Sequence, residues 1–155
     1  MRSLKWAVPL LVLTCAIASP ASTQERKLKR SDLPAAVQKT VDHESQGATI
    51  RGYSSETDNG QLVYEVALRV HGHNKDVSIA ADGSVTEIEE EVALASLPPA
   101  VRAGLRQAAG RGKITRVESL TKQGAIVAYE AQVRTGTKRS EIQVGPDGKP
   151  LAHPE

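Results

Sequence analysis

The chain has 155 residues, with 20 Lys and Arg against 18 Asp and Glu, and 39% hydrophobic residues. That balance excludes a multi-pass membrane protein and a wholly disordered chain. A single Cys allows no internal disulfide, and no Cys/His set suits a structural zinc.

Residues 1–18 have the layout of a secretory signal peptide. Arg2 and Lys5 are basic, an apolar run extends from Trp6 to Ala18, and Ala16 and Ala18 supply small residues before a cleavage site. The run of 13 residues falls short of the roughly 20 that a bilayer span requires. Cleavage of a lipoprotein before Cys15 ranks below simple secretion, because Thr14 is a poor residue at that junction. Cleavage after Ala18, or a few residues later, removes the only Met, Trp and Cys and leaves 18 basic and 18 acidic residues. The expected product is periplasmic or secreted, free of disulfides, and without a membrane span once the leader is gone. Residues 19–31 follow as a basic flexible tail, since Glu25-Arg-Lys-Leu-Lys-Arg30 has no apolar periodicity.

The rest of the chain repeats itself. Leu33-Pro34-Ala-Ala-Val37 aligns with Leu97-Pro98-Pro-Ala-Val101 at an offset of 64, and Tyr64-Glu65 aligns with Tyr129-Glu130 at 65. Val77, Ile79 and Asp82-Gly83 align with Ile142, Val144 and Asp147-Gly148. The pattern divides the chain into an acidic unit, 32–95, and a basic unit, 96–155.

Each unit opens with a predicted helix of about three turns. Ser31-Asp32 and Ser96 are capping-type residues, and Pro34 and Pro98 suit a first turn. Leu33, Val37 and Val41 share one helix face, as do Leu97, Val101, Leu105 and Ala109. Gly47 and Gly110 end the two helices. Strands follow by period-two alternation. Tyr64, Val66, Leu68 and Val70 point inward with Glu65, Ala67 and Arg69 outward, and Tyr129, Ala131 and Val133 point inward with Glu130 and Gln132 outward. Asn59-Gly60, Asp82-Gly83 and Asp147-Gly148 read as hairpin-type turns. The expected fold class is α+β, a tandem repeat of a short helix packed on an antiparallel three- to four-stranded sheet. A unit of about 60 residues is marginal on its own core, so the units should pack together or join their sheets.

Motifs that carry chemistry are mostly missing. His43-Glu44 lacks the second His of a zinc-protease helix, Gly110-Arg-Gly112 lacks the third glycine of a dinucleotide loop, and no nucleophile elbow or P-loop occurs. No catalytic residue, no cofactor and no enzyme activity are expected. His71, His73 and Asp76 are the alternative metal-ligating set, against an exposed hairpin loop as the ordinary explanation. Charge is more informative. Residues 32–95 carry 4 basic and 12 acidic side chains, whereas 96–155 carry 10 basic and 5 acidic ones. Glu87, Glu89, Glu90 and Glu91 cluster in the first unit, and Arg102, Arg106, Arg111, Lys113 and Arg116 in the second. Either the opposite fields hold the halves together, or each steers a charged partner. Nucleic acid is a poor candidate, because no aromatic residues interleave the basic ones.

With Leu33-Pro34-Ala-Ala-Val37, Tyr64-Glu65-Val66 and Asp82-Gly83, and then Leu97-Pro98-Pro-Ala-Val101, Tyr129-Glu130-Ala131 and Asp147-Gly148, the chain resembles the PepSY superfamily. The likeness is to its PepSY-like, β-lactamase-inhibitor-like branch, over nearly the whole mature chain. The resemblance implies a small bacterial exported domain with helices on antiparallel sheet, and it carries no catalytic residue across. The expected function is a non-enzymatic binding module, monomeric or weakly dimeric. Its outward sheet face (Glu65, Arg69, Glu130, Gln132 and Arg134) would contact another exported protein, such as a protease or other hydrolase, and inhibit or modulate it. The alternative is a periplasmic metal- or small-ligand-binding protein in sensing or homeostasis.

Overall fold

The structure is a computed structural model that describes residues 25–58 and 60–155. The expected leader 1–18, Cys15, the first part of the tail and Asn59 lie outside the described residues. Ten elements follow in chain order: β1 (Arg26–Leu28), α1 (Ala35–Glu44), β2 (Thr49–Asp58), β3 (Gln61–Val70), β4 (His73–Ala80), β5 (Val85–Glu91), α2 (Pro99–Ala109), β6 (Lys113–Lys122), β7 (Ala125–Thr135) and β8 (Lys138–Val144). No described helix is long and apolar enough to cross a membrane.

The strands corrects the expected fold class: they form one eight-stranded antiparallel sheet in simple sequence order, with two helices, rather than a tandem of helix-on-small-sheet units. The joint is the pairing of β5 with β6, in which Ile88, Glu89, Glu90 and Glu91 face Thr121, Leu120, Ser119 and Glu118. Separate sheets of five strands (β1–β5) and three strands (β6–β8) would leave two more edges of unpaired backbone N–H and C=O groups. Pairing β5 with β6 satisfies both.

Register decides which face the helices cover. Val77 of β4 lies opposite Ile88 of β5, and Ile88 lies opposite Thr121 of β6, which shares a face with Ser119 and Val117. Val117 in turn faces Ala131. Val37 and Val41 of α1 pack on Val66, Leu68, Val77 and Ile79. Val101 and Leu105 of α2 pack on Val117, Tyr129, Ala131 and Val144. Both helices therefore sit on the same side of the sheet. The other side has no helix over it.

The predicted strand phases agree with this packing, with Tyr64 and Val70 against the first cluster and Tyr129 only 8% exposed in the second. Val37, Leu68, Ile79 and Leu105 are fully buried, and each such side chain contributes about 1.5–3 kcal/mol of transfer free energy. No Phe occurs anywhere in the chain, so the core is aliphatic apart from its tyrosines.

The helix starts differ from the expected caps. Pro34 and Pro98 occupy the N-cap positions, and no side chain caps either helix. Leu33 and Leu97 are extended, at ψ 141 and 152, because a residue before proline is driven out of helical conformation. The helices cannot begin earlier. Asp32 instead accepts from the Lys29 backbone N–H at 2.9 Å, and the Ser96 hydroxyl donates to the Ala93 carbonyl at 2.7 Å, each within a single 3-10 turn.

The basic stretch expected as a flexible tail is also partly built in. Arg26, Lys27 and Leu28 pair with Ser55, Ser54 and Tyr53 as an edge strand, and Arg30 bridges to Asp42 of α1 at 2.6 Å. Short length and basic side chains suit an edge that must not recruit another strand.

Helix α2 approaches the turn after β8 closely enough to exclude a methyl group. A Cβ on Gly104 would collide with the Gly148 carbonyl oxygen, and Gly148, at φ +80, lies against the Ala100 carbonyl. Gly104→Ala should therefore destabilise the fold by about 1–3 kcal/mol through overpacking, seen as a lower urea midpoint. Gly52→Ala, with no atom within 4 Å of its new Cβ, should stay within about 0.5 kcal/mol of the parent.

Candidate functional site

The helix-free face gathers a broad group of carboxylates. Alternation along β3 puts Val63, Glu65, Ala67 and Arg69 there. Cross-strand pairing then carries the face across the sheet, from Glu65 to Ser78 and Glu87, and from Ala67 to Asp76, Glu89, Leu120 and Ala128. A third row runs from Glu91 through Glu118 and Glu130 to Gln143. The joint between β5 and β6 brings Asp76 and Glu89 beside Glu118. One carboxylate oxygen from each of these three lies within 4.8 Å of the others.

Leu120 and Ala128 form an apolar floor beside this cluster, at 2% and 0% exposure. Glu118 itself is 4% exposed. Carboxylates held against such a floor lose hydration, which penalises their charged form. Burial, reinforced by repulsion from Glu87, Glu118 and Glu130, pushes Glu89 up to about 8. Burial and the charges of Asp76, Glu25 and Glu56 push Glu65 up to about 7, against a hydrogen bond from Ser54. Burial also raises Asp76, Glu118 and Glu130, each partly offset by the Arg116 guanidinium.

Arg116 is the cation at the centre. Its Nε lies 3.2 Å from Glu118 Oε1, an ion-pair distance, yet that buried nitrogen makes no well-aligned hydrogen bond among the described residues. Lys122 pairs with Glu87 at 3.1 Å towards the rim. That bridge is the one ion pair joining the acidic and basic stretches among the described residues, so opposite fields contribute little to holding the halves together.

Of the residues expected from sequence, Glu65 and Glu130 share this face, four strand spacings apart, or about 19 Å at ~4.8 Å per strand. Gln143 Nε2 donates to Glu130 at 2.9 Å. Arg69 lies at the rim, where its Nη1 donates to Asn74 Oδ1 at 2.8 Å. Gln132 and Arg134 continue the face beyond Glu130 and line a separate cavity. The histidine set does not assemble. His71, at φ 46, and Gly72, at φ 94, form the two-residue turn between β3 and β4, where positive φ is the geometric requirement. His73 Nε2 lies 2.8 Å from Glu90. It is three residues from Asp76 on the same strand, so the two side chains leave opposite faces of the sheet. They cannot share an ion.

No family model matches the chain, and no curated protein matches it in sequence. Solved structures share its fold. A BLIP-like protein from Bacteroides fragilis is 20% identical with a TM-score of 0.57, over 77% of this chain and 83% of that one. A candidate periplasmic protein from Bacteroides eggerthii is 18% identical with a TM-score of 0.63, over 77% and 86%. A DUF2874 family protein from Bacteroides ovatus is 19% identical with a TM-score of 0.61, over 77% and 84%. At these identities the likeness is one of fold.

The raised carboxyls give stability a definite pH dependence. Between the ordinary value of 4.5 and about 8, the unfolded chain has released a proton that the folded protein still holds on Glu89. Stability therefore falls as pH rises through that window, and the contribution is complete below it. Glu44, held low by hydrogen bonds from His43 and Lys75 against its own burial, acts oppositely and only at more acid pH. So do Asp82 and Asp147, held low by hydrogen bonds from Ser84 and from the Lys149 backbone N–H. Thermal unfolding should give a higher Tm at pH 5 than at pH 8. Glu89→Gln should flatten that slope and raise the Tm at pH 8 by a few degrees; an unchanged slope would contradict the arrangement.

Proposed function

We propose that the protein is a PepSY-like, exported, non-enzymatic binding module, and that a cationic surface of another exported protein docks on the helix-free face. One observation carries this reading. Five carboxyl groups on this one face (Glu65, Asp76, Glu89, Glu118 and Glu130) all have raised affinity for protons, and the Arg116 guanidinium offsets only Asp76, Glu118 and Glu130. Cation binding to a face in that state is coupled to proton release from its carboxyls. The incoming Lys or Arg restores the charged carboxylates and removes their mutual repulsion.

Three further points support it. The N-terminal pattern of Arg2, Lys5 and the apolar run is that of an exported protein. The fold is shared with a BLIP-like protein and with a candidate periplasmic protein. The outer edge of β8 carries Lys138, Arg139 and Glu141, charges that discourage strand addition and suit a monomer or weak dimer. A protease or other hydrolase remains the expected partner class, with inhibition or modulation as the outcome. The metal alternative built on His71, His73 and Asp76 loses its geometric basis, since the set is divided between two faces.

Calorimetry of the mature chain with a blocked oligolysine peptide is the test. Binding should be measurable at low ionic strength at pH 8, weaken by about tenfold or more in high salt, and release protons from Glu89. Glu89→Gln/Glu118→Gln should lose most of the heat. Absence of binding at low salt would overturn the reading, as would tight calcium binding with no peptide binding.

A further inference from the structure

Beyond the acidic centre, the same face changes sign. Lys113 of β6, Arg134 of β7 and Arg139 of β8 lie in one cross-strand row, directly opposite one another in the ladder. Arg134 and Arg139 make no salt bridge among the described residues. They line a cavity of about 590 Å³ together with Arg116, Gln132, Ser140 and Glu141. Like charges placed directly opposite across a sheet destabilise it. Two guanidiniums facing each other over a polar cavity, neither held in a salt bridge among the described residues and with Glu141 the one acid in the lining, form the local conflict that functional sites characteristically retain.

The chemistry of the cavity is specific. Guanidinium groups offer planar, paired N–H donors that match the two oxygens of a carboxylate or phosphate. Gln132 adds a neutral polar group at the wall. Glu141 stands opposite Gln132 and repels Glu130, so it marks the border between the acidic centre and the arginine end. Glu130 and Arg134 are four residues apart on one strand, about 13 Å at ~3.3 Å per residue. An extended segment laid along β7 would meet carboxylates first and guanidiniums one short step later.

We infer that the Arg134–Arg139 cavity is an oxyanion subsite that receives a carboxylate of the docked protein, about 13 Å from the point where the centre takes its basic residue. This rests on the reading of the helix-free face as a docking surface. It adds that the partner's segment is of mixed charge, with an acidic group spaced from a basic one along an extended chain. That spacing would favour a mixed-charge segment over a uniformly basic one and rank partners by charge order.

The test is a solution NMR titration that follows the Arg Nε–Hε signals of the mature chain. Three probes are added separately, namely the blocked acidic peptide acetyl-Asp-Gly-Asp-amide, inorganic phosphate and blocked oligolysine. The acidic peptide should shift the Arg134 and Arg139 signals saturably below about 10 mM, the range in which a weak paired contact registers. Arg134→Gln/Arg139→Gln should lower its affinity about tenfold. The double variant relieves a like-charge pair, so its Tm should equal or exceed that of the parent. Glu141→Gln, which leaves both arginines in place, should tighten binding.

No shift at either arginine, or equal affinity in the double variant, would overturn the inference. Phosphate binding about tenfold tighter than the peptide would also overturn it, by assigning the cavity to a free phosphate. Oligolysine separates the two claims. If it binds while the acidic peptide does not, the docking face stands and the subsite falls. If the acidic peptide alone binds, the cavity is an anion site and the docking reading falls.

Discussion

Everything distinctive about this protein depends on the backbone pairing of β5 with β6. Four residue pairs, from Ile88 opposite Thr121 to Glu91 opposite Glu118, turn two sets of strands into one sheet. The pairing fixes both faces at once. It aligns the apolar rows so that α1 and α2 lie on one side, and it leaves the other side continuous across the joint. Without it, Asp76 and Glu89 would belong to one small sheet and Glu118 and Glu130 to another. The acidic centre exists only because the edges meet there.

That centre costs stability, and the cost is located. Burial on this face raises the proton affinity of Asp76, Glu118 and Glu130, and pushes Glu89 up to about 8. The aliphatic core beneath the helices supports this arrangement. Val37, Val66, Val77 and Ile79 on one side of the joint, with Val101, Leu105 and Val144 on the other, are all at 0% exposure. The protein thus combines a conventional packed face with an opposite face whose groups are underneutralised. In the proposed reading, a docking partner would supply what that face lacks, basic groups at the centre and, at the arginine end, an acidic one.

Much of the local structure was legible in the sequence. Period-two alternation from Leu62 to Val70 and from Ile126 to Val133 placed Tyr64, Val66, Ala131 and their neighbours on the correct side, because pleat geometry is a local property. Helix faces at Val37, Val41, Val101 and Leu105 followed for the same reason. Joined sheets were one of two arrangements the marginal unit size suggested, but the choice between them and the β5–β6 register were not legible, since edge pairing between residues about 30 apart leaves no period to read. The caps failed at Ser31, Asp32 and Ser96 because the leucine–proline steps hold the chain extended up to each proline. Glu65 and Glu130 were found as outward acids. Glu89 was noted only within a charge cluster and its companion Glu118 was not singled out, because they meet only through the joint, although an outward phase in β5 and β6 was the available signal. The histidine set failed on parity: an odd separation along one strand sends His73 and Asp76 to opposite faces.

The central claim is that joining the sheets creates an acidic centre that awaits a cation. It is tested most directly by titrating the Glu89 side-chain carboxyl by carbon NMR, in the free mature chain and with saturating oligolysine. The account predicts a free-state pKa of about 8 that falls towards the ordinary carboxylate range in the complex. A free-state value near 4.5, or a raised value that oligolysine leaves unmoved, would contradict it.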